Sequence, residues 1–159
     1  MTDPKTTASP NAQPVPSAQP INRAQPINRA QPIKVLDVGN CVPDHGQISR
    51  MLDRNFGAMT IAVPSGQEAI AYLNREHVDL VLVNRKLDHD YSDGIEVIRL
   101  IKRDPRWAAL PVMMITNYPE HQAAAIAEGA LLGFGKLELA LPVTLQRLAT
   151  ALAVEAKAV

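Results

Sequence analysis

An open α/β sheet wound with helices on both faces is the fold class predicted for residues 33–159 of this 159-residue chain. Three observations predict it. Short apolar runs alternate with segments of helical period from Ile33 onward. The middle run, Leu80-Val81-Leu82-Val83, has no polar interruption, as a strand covered on both faces requires. Glycine, proline and Asp-Gly punctuate the boundaries between the two kinds of segment. Strand–helix alternation repeated five times implies a (βα)5 parallel sheet with right-handed crossovers.

The elements follow in order. Ile33 to Val38 is a strand whose apolar run holds an unexpected Asp37. Ile48, Met51, Leu52 and Phe56 fall on one helical face that ends at Gly57, and Met59 to Val63 is the second strand. Ser65-Gly66-Gln67-Glu68 has the spacing of a capping box and opens a helix carrying Ile70 and Leu73. Leu80 to Val83 is the third strand. Asp93-Gly94 opens a helix with Val97, Ile98 and Ile101 inward, and Pro105 follows its end. Val112 to Thr116 is the fourth strand, and Glu120 to Glu128 is an alanine-rich helix closed by Gly129. Leu131 to Phe134 is a short fifth strand. Pro142 suits the first turn of a last helix bearing Leu145, Leu148 and Leu152.

Residues 1–32 differ in kind. They hold seven of the 13 prolines and no glycine, and they contain the exact repeat Ala18-Gln19-Pro20-Ile21-Asn22-Arg23 and Ala24 to Arg29. Such a segment buries too little apolar surface to offset the entropy of ordering. A disordered, proline-rich tail over 1–32 ahead of one domain over 33–159 is therefore expected.

Composition excludes several function classes. Lys+Arg and Asp+Glu are both 16, so the basic excess of a nucleic-acid binder is missing. No apolar run approaches the length of a bilayer span. The single cysteine, Cys41, rules out an intramolecular disulfide and suits a reducing cytoplasm.

Taken together, the five strands, Asp93-Gly94 at the third helix, Thr116 ending the fourth strand, Gly129-Ala130, and Lys136 after the fifth strand resemble the receiver domain of response regulators. The likeness spans roughly residues 33–155. It implies a flavodoxin-like sheet of order 2-1-3-4-5 with its site at the carboxyl ends of the strands. It also implies membership of a family in which an aspartate after strand three accepts a phosphoryl group. There Mg²⁺ is held by that aspartate and an acidic pair after strand one, while a hydroxyl and a lysine contact the phosphoryl group.

Set against that pattern, the phosphoacceptor position falls on Asn84 and the acidic pair on Gly39 and Asn40. The hydroxyl and lysine are kept as Thr116 and Lys136. The switch aromatic position is Gly133, with Phe134 beside it. An amide nitrogen is not a usable nucleophile, so no acyl phosphate forms at Asn84. Three carboxylates are lost from a site for a hard cation. Each such charge pair at about 4 Å is worth roughly 4 kcal/mol at an effective dielectric near 20, and more against a divalent ion. The expectation is a pseudo-receiver with no metal, no cofactor and no catalytic residue.

Two questions stay open at the level of sequence. Asp37 lies on the same strand face as Gly39, so it either reaches the pocket and pairs with Lys136 as a compensating acid or is a structural carboxylate. Lys136 is expected to turn to the Asn84 side-chain oxygen. The loop Asp88-His89-Asp90-Tyr91-Ser92-Asp93 reads either as a metal site or as a solvated acidic loop. His45, His77 and His121 show no linking pattern.

The leading functional expectation is a stand-alone interaction module in two-component phosphorelay signalling, contacting a histidine kinase or another signalling protein. Its partner surface would lie on helix four, strand five and helix five, with Phe134, Leu137 and Leu139, and the same face could pair two copies. The alternatives are an anion or small-ligand sensor using Lys136, Thr116 and Asn84, or a receiver phosphorylated on an unaligned Asp88 or Asp90.

Overall fold

In the computed structural model, residues 29–157 are described. The expected tail therefore lies almost wholly outside them. Five strands form one parallel sheet of order β2-β1-β3-β4-β5: β1 Lys34–Val38, β2 Met59–Val63, β3 Leu80–Asn84, β4 Val112–Ile115 and β5 Leu131–Phe134. The helices are α1 Val42–Phe56, α2 Gly66–Leu73, α3 Gly94–Arg103, α4 Pro119–Ala127 and α5 Pro142–Leu152. The predicted fold class and every predicted element are found, with boundaries moved by a few residues at most.

Two apolar layers sandwich the sheet. On one face Leu36, Val38, Val81, Val83 and Met114 pack under Ala69, Val97, Ile98 and Ile101. On the other, Val35, Leu80, Leu82, Met113, Ile115 and Phe134 pack under Ile48, Leu52, Leu148 and Leu152. This is the alternation of successive strand residues between faces, applied to strands that are covered on both sides. The predicted inward positions Val97, Ile98, Ile101, Leu148 and Leu152 are all buried.

Local signals placed the helix ends. Ser65 Oγ accepts the Glu68 backbone N–H at 3.2 Å, and Gly57 closes α1 in the left-handed region at φ 62°. At the opposite end of the sheet Arg29, left in the tail by the sequence reading, is held by the fold. Its guanidinium pairs with Asp79 at 2.6 Å and donates to Leu152 O at 3.1 Å.

β4 and β5 part from a regular ladder. Met113 pairs with Leu131 and Ile115 with Phe134, so Met114 faces two residues, Leu132 and Gly133, across a bulge. The buried Gln122 of α4 fills the gap. Its Nε2 donates to Met114 O at 3.1 Å and Thr116 O at 3.2 Å, and its Oε1 accepts from Gly133 N at 2.9 Å. A Cβ on Gly133 would overlap the Met114 carbonyl, which explains the glycine at the expected aromatic position.

Candidate functional site at the carboxyl edge of the sheet

In-register pairing brings the ends of β1 and β3 side by side. Val38 aligns with Val83, so Gly39 and Asn84 emerge next to one another, and Thr116 and Lys136 follow β4 and β5 on the same edge. The expected positions thus gather at one mouth. What they do there differs from the sequence reading.

Asn84 is spent on the backbone. Its amide nitrogen donates to Gly39 O at 3.1 Å and to Lys86 O at 2.8 Å. Gly39 sits at φ 77°, a conformation L side chains rarely adopt. A Cβ there would run into Leu87 Cδ2 and lie 2.9 Å from Leu87 Cβ. Leu87 itself is buried. The first acidic-pair position is therefore both empty of charge and covered by an apolar side chain.

Lys136 does not turn to Asn84. Its ammonium pairs with Asp44 Oδ2 at 2.5 Å, across 92 residues of sequence. A carboxylate in the first turn of α1 is a better partner than a neutral amide, because it brings full charge and faces the positive end of the helix. The Lys136 hydrogen bond holds the Asp44 carboxyl below its ordinary range, and a Cys41 Sγ contact at 3.1 Å adds to this. No local spacing marks Asp44 as the partner of a lysine 92 residues away.

Asp37 does not pair with Lys136 either. It is 1% exposed, and its two oxygens are divided between neighbours. Oδ1 accepts from Asn40 Nδ2 at 2.6 Å, and Oδ2 lies 2.7 Å from His45 Nδ1. Burial pushes its pKa up, against the opposing pull of Asn40, His45 and the more distant Lys136 charge. The strand places Asp37 inward, and the first turn of α1 carries His45 over it. The pair gave no sequence signal because its members lie on different elements, Asp37 on β1 and His45 on α1, and meet only when the helix docks.

Thr116 Oγ1 accepts the Tyr118 N–H at 3.2 Å at the start of α4. In the β3–α3 loop, Asp90 takes both the backbone and hydroxyl of Ser92, at 2.9 and 2.6 Å, and Asp93 pairs with Lys86 at 3.0 Å. Among the described residues no group of three or more His, Cys, Asp or Glu is placed to hold a metal ion.

The expected partner surface needs one correction. Phe134 is 1% exposed and lies in the core beneath α1 and α5, since the bulge turns its side chain inward. Leu139 is half-buried against the same layer. Leu137 is 86% exposed, and Ile126, Leu131, Leu132, Leu141 and Val143 are exposed as well.

A doubly wound parallel sheet with polar residues collected at its carboxyl edge defines a flavodoxin-like domain. The sequence profile of the response regulator receiver domain matches residues 42–134, and the chain belongs to that family. The matched span begins after Gly39 and Asn40. An uncharacterized 14.6 kDa protein from the sodA1 3′ region of Leptolyngbya boryana is 28% identical over 89 residues, covering 55% of this chain and 66% of that protein. A response regulator structure from Chloroflexus aurantiacus superposes with a TM-score of 0.64 at 20% identity, over 77% of this chain and 99% of that one. The chemotaxis response regulator CheY4 of Vibrio cholerae gives 0.58 at 21% identity, over 77% and 98%. The chain is thus a receiver domain of two-component signalling. Among the described residues, no helix is long and apolar enough to cross a membrane.

Proposed function

We propose that this receiver is a pseudo-receiver: a cytoplasmic interaction module that signals by contact, without aspartyl phosphorylation. One observation carries the reading. Leu87 covers Gly39 at the acidic-pair position, and Asn84 stands where the family's acceptor would be, with its amide engaged by Gly39 O and Lys86 O. At positions 39, 40 and 84 a Mg²⁺ ion would find no carboxylate ligand, and Leu87 fills the space over the first of them. Lys136, closed against Asp44, offers no free cation to an incoming anion, which argues against the anion-sensor reading.

The switch is altered in the same sense. Gly133 carries no ring to rotate, and Gln122 bridges the bulge in its place. The α4–β5–α5 face is then held in one arrangement. It exposes Ile126, Leu131, Leu132 and Val143, with Leu137 exposed after β5, and exposed apolar side chains are the surface character expected of a protein contact.

The test combines acetyl phosphate, Mg²⁺ and intact-mass measurement on the wild type and Asn84→Asp. Neither is expected to gain an alkali-labile acyl phosphate. Such an adduct on either protein, at position 84 or on Asp88 or Asp90, would sink the reading. Light scattering of the full chain separates a second copy from a different protein as occupant of the face. Leu137→Ser should weaken capture of the partner by at least tenfold if that face makes the contact.

A further inference from the structure

Asp37 and His45 form a unit that no receiver function yet described for this chain uses. Asp37 is buried and fixed from both sides, with one oxygen on Asn40 and the other on His45 Nδ1. An ionised carboxylate can only accept, so in the neutral ring Nδ1 donates to Asp37 and the lone pair lies on Nε2. Among the described residues Nε2 has no hydrogen-bond partner. The side chain is 25% exposed, and Nε2 is not among the polar atoms shut off from solvent. A nitrogen lone pair open to solvent, on a ring oriented by a buried carboxylate, is the arrangement of an activated nucleophile.

The surroundings suit one class of electrophile. His45 lies in the first turn of the 15-residue α1, whose amino end favours anions. We propose that His45 Nε2 is a phosphoacceptor, taking a phosphoryl group from a phosphoramidate donor in place of the family's aspartate. The inference rests on the reading that Asn84 takes none.

The step balances without a metal or a redox partner. The Nε2 lone pair forms a bond to phosphorus as the donor's P–N bond breaks, and the nitrogen leaves with that bond's electron pair. With phosphoramidate itself, which carries the proton on its nitrogen, the leaving group is neutral ammonia. The ring becomes an imidazolium that keeps its Nδ1 proton, and its positive charge is met by the Asp37 carboxylate at 2.7 Å. One P–N bond replaces another, so the exchange needs little driving force. Asp37 is a positioning residue in this scheme, since it acts through the ring.

The experiment incubates the full chain with phosphoramidate and reads intact mass, then maps the adduct by peptide analysis. A single phosphoryl group is expected on His45, stable in alkali and lost in mild acid. It should be absent from His45→Asn, which retains a donor toward Asp37 and whose circular dichroism and melting must match the wild type. Asp37→Asn should react about tenfold more slowly, and nitrogen NMR should show its His45 proton no longer confined to Nδ1. No adduct, an adduct on His77, His89 or His121, or an unchanged rate in Asp37→Asn would overturn the proposal while leaving the pseudo-receiver reading intact. An alkali-labile adduct on an aspartate would overturn both.

Discussion

Gly39→Ala is the sharpest probe of the closed acid site. The new Cβ would meet Leu87 Cδ2 and lie 2.9 Å and 3.0 Å from Leu87 Cβ and Cα, so the neighbour must move. Overpacking of this kind costs about 1–3 kcal/mol. The left-handed backbone at φ 77° adds about 1–2 kcal/mol for a residue with a Cβ. The single variant should therefore lose about 2–5 kcal/mol. Leu87→Ala removes a fully buried side chain and should lose a similar about 2–5 kcal/mol through the cavity it leaves. In the double variant the Cβ of residue 39 occupies part of that cavity. The backbone term persists but the clash with Cδ2 is gone. The two losses should then fall short of additivity by about 1–2 kcal/mol. Urea unfolding, followed by far-ultraviolet circular dichroism and by the sole tryptophan, Trp107, measures all four proteins. Additivity within about 0.5 kcal/mol would refute the claim that Leu87 fills the space over Gly39.

Three further outcomes follow from the same contacts. Asp37 has its pKa raised by burial, so the unfolded chain gives up this proton at a lower pH than the folded one. The folded state then binds more protons above about pH 3.8, and Asp37 makes stability fall as pH rises from there to its folded pKa. Asp37→Asn should match the wild type below pH 3.8 and become relatively more stable above it, as judged by melting temperature against pH. A variant that loses ground on raising the pH would contradict the sign. Gln122→Ala should cost about 2–4 kcal/mol in urea unfolding, because it strands Met114 O, Thr116 O and Gly133 N in a buried gap. A loss below 1 kcal/mol would mean water takes over the bridge. Phe134→Ala should cost about 3–5 kcal/mol, whereas Leu137→Ser should leave stability within about 0.5 kcal/mol, since one ring is buried and the other side chain is 86% exposed. Thermal melts of the pair check the contrast, and equal losses would refute it.

The alternation of strand and helix, the unbroken Leu80–Val83 run and the caps at Ser65 and Gly57 were legible in the chain because each depends on neighbours within a few residues. So was the alignment that puts Asn84, Gly39 and Asn40 where the family carries acids. Periodicity also located which residues sit at the sheet edge, since parallel register follows from which faces must be buried.

Sequence order alone could not say whom those edge residues touch. Lys136 took Asp44 from 92 residues away, and Asp37 took His45 from the next element, because charge partners are chosen by distance after the helices dock. Leu87 came to rest over Gly39 through the path of a loop, and Gln122 entered the sheet only because β5 bulges. Phe134 turned inward for that same reason: a single extra strand residue reverses which face the following side chain occupies. Local periodicity determined the scaffold, and the packing of distant segments decided the chemistry at its mouth.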